Sequence, residues 1–286
     1  MIPAAIGLAL AAAVIHGTWN VLVKVSGDPM ATFQRSTIAA AILATPPTAI
    51  AWILFGRPGF SLAAAGWCLL SAALELSYLW LLAAAYRRGE LSAVYPIARG
   101  TAPLLAVIVG LGLLGEKLTG AQLAGVGLLL VGILAVSLSQ AGGRATIPAL
   151  MTGVAIASYT AVDRVGVRLA TPWLYGWLLV VLIAVSVPAS QWIASKLRLI
   201  TRVELGGLPT LSGQKALLIG VFMWGSYMLV LWALSLAPLS VVAPVRETSV
   251  VGVAAWGVWR LRETKGAALK LSGAVATLVG VGLLAL

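Results

Sequence analysis

Ten stretches of the chain, each about as long as a bilayer crossing, run with almost no charge. That regularity restricts the fold more than any motif. A membrane-spanning helix needs about 20 mostly apolar residues. The stretches Ile2–Val23, Thr32–Phe55, Leu62–Tyr86, Leu91–Leu114, Thr119–Ser139, Ile147–Val162, Pro172–Ala194, Ala216–Leu236, Ser240–Trp259 and Gly266–Leu286 fit that ruler. Lipid offers no partner to backbone N–H and C=O groups, so such runs predict helices. Short connections with turn chemistry separate them: "SGDP", "GRPG", "RRGE", "GEKLT", "QAGGR", "APLS" and "RETKG". Only Ser195–Lys215 is long, and its alternating "KLRLITRVEL" suits a segment lying at the interface. Trp173, Tyr175 and Trp177 open the seventh stretch as an aromatic belt does. The expected fold class is an all-α integral membrane protein with ten transmembrane helices. Those helices use nearly the whole chain, so its function must lie inside the bundle.

Composition agrees and excludes other classes. The 286 residues are 61% hydrophobic and 9% charged, with a mean hydropathy of +1.04; a soluble domain is about 25% charged. The net charge of +11 is scattered as ones and twos between apolar runs, not as the continuous stripe that nucleic acid requires. Cys68 and His16 are the single cysteine and the single histidine. They cannot build a disulfide, a thiolate metal site or a zinc site, so neither metal nor cofactor is expected. No GxxxxGK[ST] and no HExxH occurs, which leaves ATP hydrolysis and zinc-protease chemistry without residues. An enzyme is therefore not expected. The first apolar run lacks a basic n-region and is long enough to span, so it reads as a helix and not as a cleaved signal.

The chain also repeats itself. "LSAVYPIARGTAPLLAVIVGLGLLGEKLTGAQLAGVGLLLVG" from Leu91 aligns with "LSVVAPVRETSVVGVAAWGVWRLRETKGAALKLSGAVATLVG" from Leu239 at a fixed offset of 148. Pro96, Lys117, Gly125 and Gly132 then meet Pro244, Lys265, Gly273 and Gly280. "SYLW" at Ser77 echoes "SYML" at Ser226, and "TWNVLVK" at Thr18 echoes "SYTAVDR" at Ser158. Two halves follow, 1–140 and 147–286, each with five helices. An odd number of spans per half turns the second half over, giving an inverted-topology repeat, and such repeats mark transporters with a mid-membrane site at the repeat interface.

These segments carry a family resemblance. "IHGTWNVLVKVSGD" at Ile15, "YPIARGTAP" at Tyr95, "GEKLTGAQLAGVGLLLVGI" at Gly115 and "APVRETSVVG" at Ala243 resemble the EamA family of the drug/metabolite transporter superfamily. The resemblance runs over the whole chain and rests on the order and spacing of motifs that are individually weak. It implies a ten-helix secondary transporter, usually an exporter of amino acids or other small metabolites, in the cell membrane. One departure is visible: the "GE" after the fourth helix returns as "RE" (Arg262–Glu263) after the ninth, displaced by one position.

The candidate site residues are the polar and aromatic groups inside the apolar runs: His16, Trp19, Asn20, Glu75, Tyr78, Tyr95, Arg99, Tyr159, Trp224, Tyr227, Arg246 and Glu247. A charge at a helix centre costs about 2.5–3.5 kcal/mol on insertion scales, so such groups face protein or a wet cavity. Arg246 and Glu247, adjacent and about 100° apart on a helix, need not serve each other. The offset of 148 sets Glu247 opposite Arg99, which suggests an ion pair tying the halves together; the other reading makes Arg99 or Arg246 a substrate-carboxylate anchor. Glu75, with Tyr78 one turn on, is either satisfied by a neighbouring hydroxyl or His16, or serves as a proton site or ammonium anchor; burial disfavours the ionised form, as proton coupling needs. His16 and Asn20 share a face, with Trp19 beside them. Trp224 aligns with Glu75 in the repeat and lies three residues before Tyr227. Asp163 and Arg164, at the end of the sixth stretch, read as interfacial. Gly125, Gly127, Gly132, Gly273 and Gly280 read as helix-packing positions, and Pro96 and Pro244 as places where a helix loosens.

Orientation is pulled both ways. Eleven Lys and Arg fall in odd-numbered connections and four (Arg57, Lys117, Arg164, Arg168) in even ones, which places both termini outside by the positive-inside rule; the resemblance places them inside. The expected function is alternating-access transport, as an exporter, of a small polar or zwitterionic metabolite such as an amino acid. The partners are that solute and the lipid bilayer, with protons as the candidate coupling ion and no nucleic acid; a monomer suffices. The alternative is a lipid-headgroup flippase or a non-transporting membrane subunit. A channel lacks its filter motif and its ring of like charges.

Overall fold

The computed structural model describes residues 1–88, 91–138, 146–197, 212–249 and 267–285. Among them are ten helices and no strand: α1 (Ile2–Val25), α2 (Pro29–Leu54), α3 (Leu62–Arg88), α4 (Leu91–Gly112), α5 (Gly120–Leu138), α6 (Thr146–Gly166), α7 (Pro172–Lys196), α8 (Gly213–Leu236), α9 (Leu239–Arg246) and α10 (Ala267–Leu284). Five of them, α1, α2, α3, α7 and α8, are long and apolar enough to cross a membrane. Shorter apolar helical stretches occupy Ile97–Gly112, Gly120–Ala135 and Leu271–Leu284.

The helix starts follow local chemistry. Asp28 caps α2 by accepting from the Met30 N–H at 3.0 Å, and Pro29 follows at the first helical position, where no donor is needed. The helix therefore begins three residues earlier than hydropathy alone suggested. Ser212 caps α8 in the same way, with Lys215 N–H as donor. The sixth helix runs beyond Val162 to Gly166 and carries Asp163 and Arg164 within it. The ninth starts at Leu239 and breaks after Arg246, inside the expected Ser240–Trp259; residues 250–259 of that stretch lie outside the described residues. After Arg246 the amides of Glu247 and Thr248 bond to carbonyls only three residues back, Pro244 O at 3.1 Å and Val245 O at 3.2 Å. Pro244 has already removed one donor from this helix, so the turn tightens and releases at the charged pair. The expected interfacial segment lies largely outside the described residues.

The outer surface is apolar. Val14, Ile42, Val131, Val185 and Leu278 are each more than 60% exposed, a pattern that water punishes and lipid accepts. Together with the apolar helices it points to a multi-pass membrane protein. Inside, α3 packs along α6 and α1 along α8, while α2 meets α7, α4 meets α9 and α5 meets α10. The last is a close glycine seam. A Cβ on Gly125 would lie 2.8 Å from the Gly280 carbonyl oxygen, and one on Gly132 would lie 2.5 Å from the Gly273 carbonyl oxygen. These two contacts run in opposite order along the helices, so α5 and α10 are antiparallel. Gly127 has open space around it, which removes it from the expected packing set.

Candidate functional site

A cavity of about 70 Å³ opens among α1, α2, α3, α6, α7 and α8. Its walls are Leu79, Leu179, Val180, Ile183 and Met223; its polar and aromatic lining is His16, Trp19, Thr37, Glu75, Tyr78, Tyr159, Trp224 and Tyr227. Four buried polar atoms among these residues find no hydrogen-bond partner among the described residues: His16 Nδ1, Trp19 Nε1, Tyr78 Oη and Trp224 Nε1. An indole N–H only donates. His16 Nε2 contacts the Arg99 guanidinium, which only donates, so Nε2 accepts and the proton sits on Nδ1. The cavity thus offers three N–H donors and one hydroxyl, with the Glu75 carboxyl as its acidic member. Tyr78 packs at 5.5 Å from Tyr159, and Tyr159 at 5.8 Å from Tyr227, ring centre to ring centre.

Behind this lining lies a charge network. Arg99 Nη1 donates to both carboxylate oxygens of Glu247 at 2.8 Å, and both side chains are about 2% exposed. The pairing expected from the repeat offset is therefore present. Arg246 and Glu247 each find their hydrogen bonds on other helices, as expected, and also lie near each other: Arg246 Nε is 3.5 Å from Glu247 Oε1, a contact the break after Arg246 permits. Arg246 also donates to Tyr159 Oη at 2.7 Å and to Thr160 Oγ1 at 3.4 Å. Its guanidinium sits 5.7 Å from the Tyr159 ring and 5.5 Å from the Tyr227 ring, within cation–π reach.

Asn20 turns away from the cavity. Its side chain donates to the His16 carbonyl at 2.9 Å and accepts from Tyr86 Oη at 2.9 Å, so it fixes α1 against α3. The expectation that Asn20 lines the cavity is corrected accordingly. His16 contacts Arg99 and not Glu75. Tyr95 lies on α4, and its side chain falls outside the described residues.

Two acids escaped sequence reasoning. Asp163 is fully buried, and accepts from Tyr175 Oη at 2.8 Å and from Tyr227 Oη; the interfacial reading of this residue is corrected. Its signal was spacing: Asp163 lies four residues after Tyr159, on the same helical face. Glu116, in the turn after α4, accepts from the backbone amides of Leu239 at 2.6 Å and Ser240 at 2.9 Å and from Ser240 Oγ at 2.7 Å. It caps the first turn of α9 and pairs with Arg164 at 3.3 Å. Arg164 in turn donates to the Leu234 carbonyl at the end of α8. Among the described residues no three His, Cys, Asp or Glu gather as a metal site.

Comparison with known proteins fits this architecture. Residues 3–138 match the model of the EamA-like transporter family, so the first half of the chain carries that family's pattern. A crystal structure of a protein superposes with a TM-score of 0.67 at 14% identity, covering 98% of this chain and 95% of that one. A likeness at that identity shows a shared fold. No curated protein matches the sequence.

Proposed function

We propose that the chain is a secondary transporter that moves small zwitterionic metabolites, amino acids first among them, outward across the cell membrane. The observation that carries this reading is the cavity's polarity. Four buried donor groups without partners stand in one chamber with a single carboxyl, Glu75. Buried donors left unpaired are costly, and an acceptor-bearing ligand removes the cost. A carboxylate suits the indole and imidazole N–H groups, and an ammonium suits Glu75 among the aromatic faces. Apolar walls accommodate a side chain between the two ends.

Alternating access supplies the movement, with residues 1–140 and 147–286 as the two halves. The antiparallel contact of α5 and α10 and the Arg99–Glu247 tie between α4 and α9 support an inverted repeat. The cavity draws helices from both halves, so rocking one half against the other exposes it to either side.

Counterflow in proteoliposomes tests the reading. Labelled neutral amino acids should exchange, whereas their esters, which lack the carboxylate, and their N-acetyl forms, which lack the ammonium, should not. Equal exchange of the N-acetyl forms would remove Glu75 as an ammonium anchor and sink the zwitterion reading.

A further inference from the structure

Arg99–Glu247 and Glu116–Arg164 both join the two halves, in different surroundings. The first pair sits inside the bundle at about 2% exposure. Parting it strands two charges in the interior. The second lies at the membrane face that carries the turn after α4, with Glu116 7% and Arg164 12% exposed. Parting it lets water take both groups as that face opens. The edge pair is therefore the one suited to break and re-form.

The turn is built to aim Glu116 at the second half. Gly115 takes φ +64°, a left-handed conformation that glycine adopts without strain, and the Glu116 amide folds back onto the Gly110 carbonyl at 3.0 Å. Gly110 leaves the room this needs: a Cβ there would lie 2.5 Å from Glu116 Oε2 and 3.2 Å from Ser240 Cβ. The carboxylate then meets the first two amides of α9, those of Leu239 and Ser240, and the Ser240 hydroxyl. Such amides have no partner within their own helix, and an anion suits the positive end of its dipole.

Arg164 carries this contact toward the cavity. It donates to the Leu234 carbonyl and so braces α6 against α8. The neighbouring Asp163 binds Tyr175 of α7 and Tyr227 of α8, which ties together the three second-half helices that line the cavity. Tyr159 and Tyr227 of the cavity wall precede Arg164 and Leu234 by about 7.5 Å and about 10.5 Å of helix. The first half has the same brace. By the echo of Thr18 in Ser158, Lys24 stands where Arg164 does, and it donates to the Tyr86 carbonyl near the end of α3 at 2.7 Å. In each case cation and carbonyl belong to one half. Glu116 differs, because it reaches across from the other.

We propose that Glu116 is the latch that shuts the cavity on the face carrying the turn after α4. While its carboxylate holds the start of α9 and Arg164, α6 and α8 cannot swing away from the first half there. Opening that face breaks the four contacts together, and reclosing restores them. Glu116 touches no solute and acts as a positioning residue. The inference rests on alternating access and not on the identity of the solute.

Thiol labelling reads the latch. Cys68→Ala/Thr37→Cys protein carries its one thiol in the cavity wall. In sealed proteoliposomes of uniform orientation, a membrane-impermeant maleimide is added to one face at a time. Cys68→Ala/Lys117→Cys, with its thiol at an exposed position of the turn, identifies the turn's face. Glu116→Gln removes the charge at nearly constant size. It should speed labelling of the cavity thiol from the turn's face about tenfold, the worth of one charge-assisted hydrogen bond, with no matching rise from the opposite face. Ser240→Ala deletes the Oγ bond alone and should move the same ratio in the same direction by about threefold. Being milder, it carries the test where Glu116→Gln does not fold. A ratio that the folded variants leave unmoved overturns the latch. So does labelling that rises equally from both faces, which would mark a carboxylate that holds the fold and nothing more. Labelling of the parent protein from one face alone contradicts alternating access instead; the latch then stands or falls on whether these variants admit the reagent from the turn's face.

Discussion

Arg99 and Glu247 lie 148 residues apart in sequence and 2.8 Å apart in space. Neither side chain has access to water worth mentioning, so each depends on its buried partners, the other first among them. Replacing one leaves a buried charge, an arrangement that costs about 3–5 kcal/mol. Arg99→Leu and Glu247→Leu should each lower the melting temperature sharply, and the double variant should recover most of the loss. Retained transport in the double variant marks the pair as a structural tie; a stable but inactive double variant places it in the solute path. The cavity donors make a different prediction, because they have no protein partner to lose. Trp224→Phe keeps most of the ring and removes one N–H. Its melting temperature should hold, while solute affinity falls roughly threefold to tenfold, the worth of one hydrogen bond of about 0.5–1.5 kcal/mol. A drop in stability with unchanged affinity would assign the indole to packing.

At the scale of helices, the contacts that matter are the ones between halves. Glu116 caps α9 with three accepted hydrogen bonds and ties it to Arg164. Glu116→Ala should destabilise by about 1–3 kcal/mol, measured as a shift in thermal unfolding, while exposed Lys117→Ala should not. The glycine seam predicts a similar contrast. Gly132→Leu must push α5 off α10, an overpacking that costs about 1–3 kcal/mol or more, whereas Gly127→Leu points into open space and should be tolerated. The existence of most helices was legible from hydropathy, because each stretch has to satisfy its backbone alone. Their ends were less legible. Asp28 and Pro29 start α2 early, and the polar Ser158-to-Asp163 segment hid the true length of α6. That one boundary turned Asp163 from a core acid into an apparent interfacial residue. Glu116 was quoted only as part of a motif, since its partners are backbone amides that no side-chain pattern announces. Arg99 and Glu247, by contrast, could be paired in advance, because the repeat supplied a coordinate that single-helix reasoning lacks. The break after Arg246 was half visible: Pro244 signalled a loosened helix, but not where the turn would tighten.

On the scale of the whole molecule, transport makes one demand: the cavity must communicate with both sides of the membrane, at different times. Its lining comes from α1, α2 and α3 of the first half and α6, α7 and α8 of the second, so a relative rotation of the halves opens one flank as it closes the other. Net charge, orientation and even the identity of the solute are secondary to that requirement. The single cysteine makes it testable. Cys68 is buried and is removed by Cys68→Ala; Thr37→Cys then puts a thiol of nearly the same size in the cavity wall. The measurement is the rate of labelling of that thiol by a membrane-impermeant maleimide added to either face of sealed proteoliposomes of uniform orientation. Alternating access predicts labelling from both faces, each slowed by a transported amino acid. Labelling confined to one face, or to neither, would contradict it.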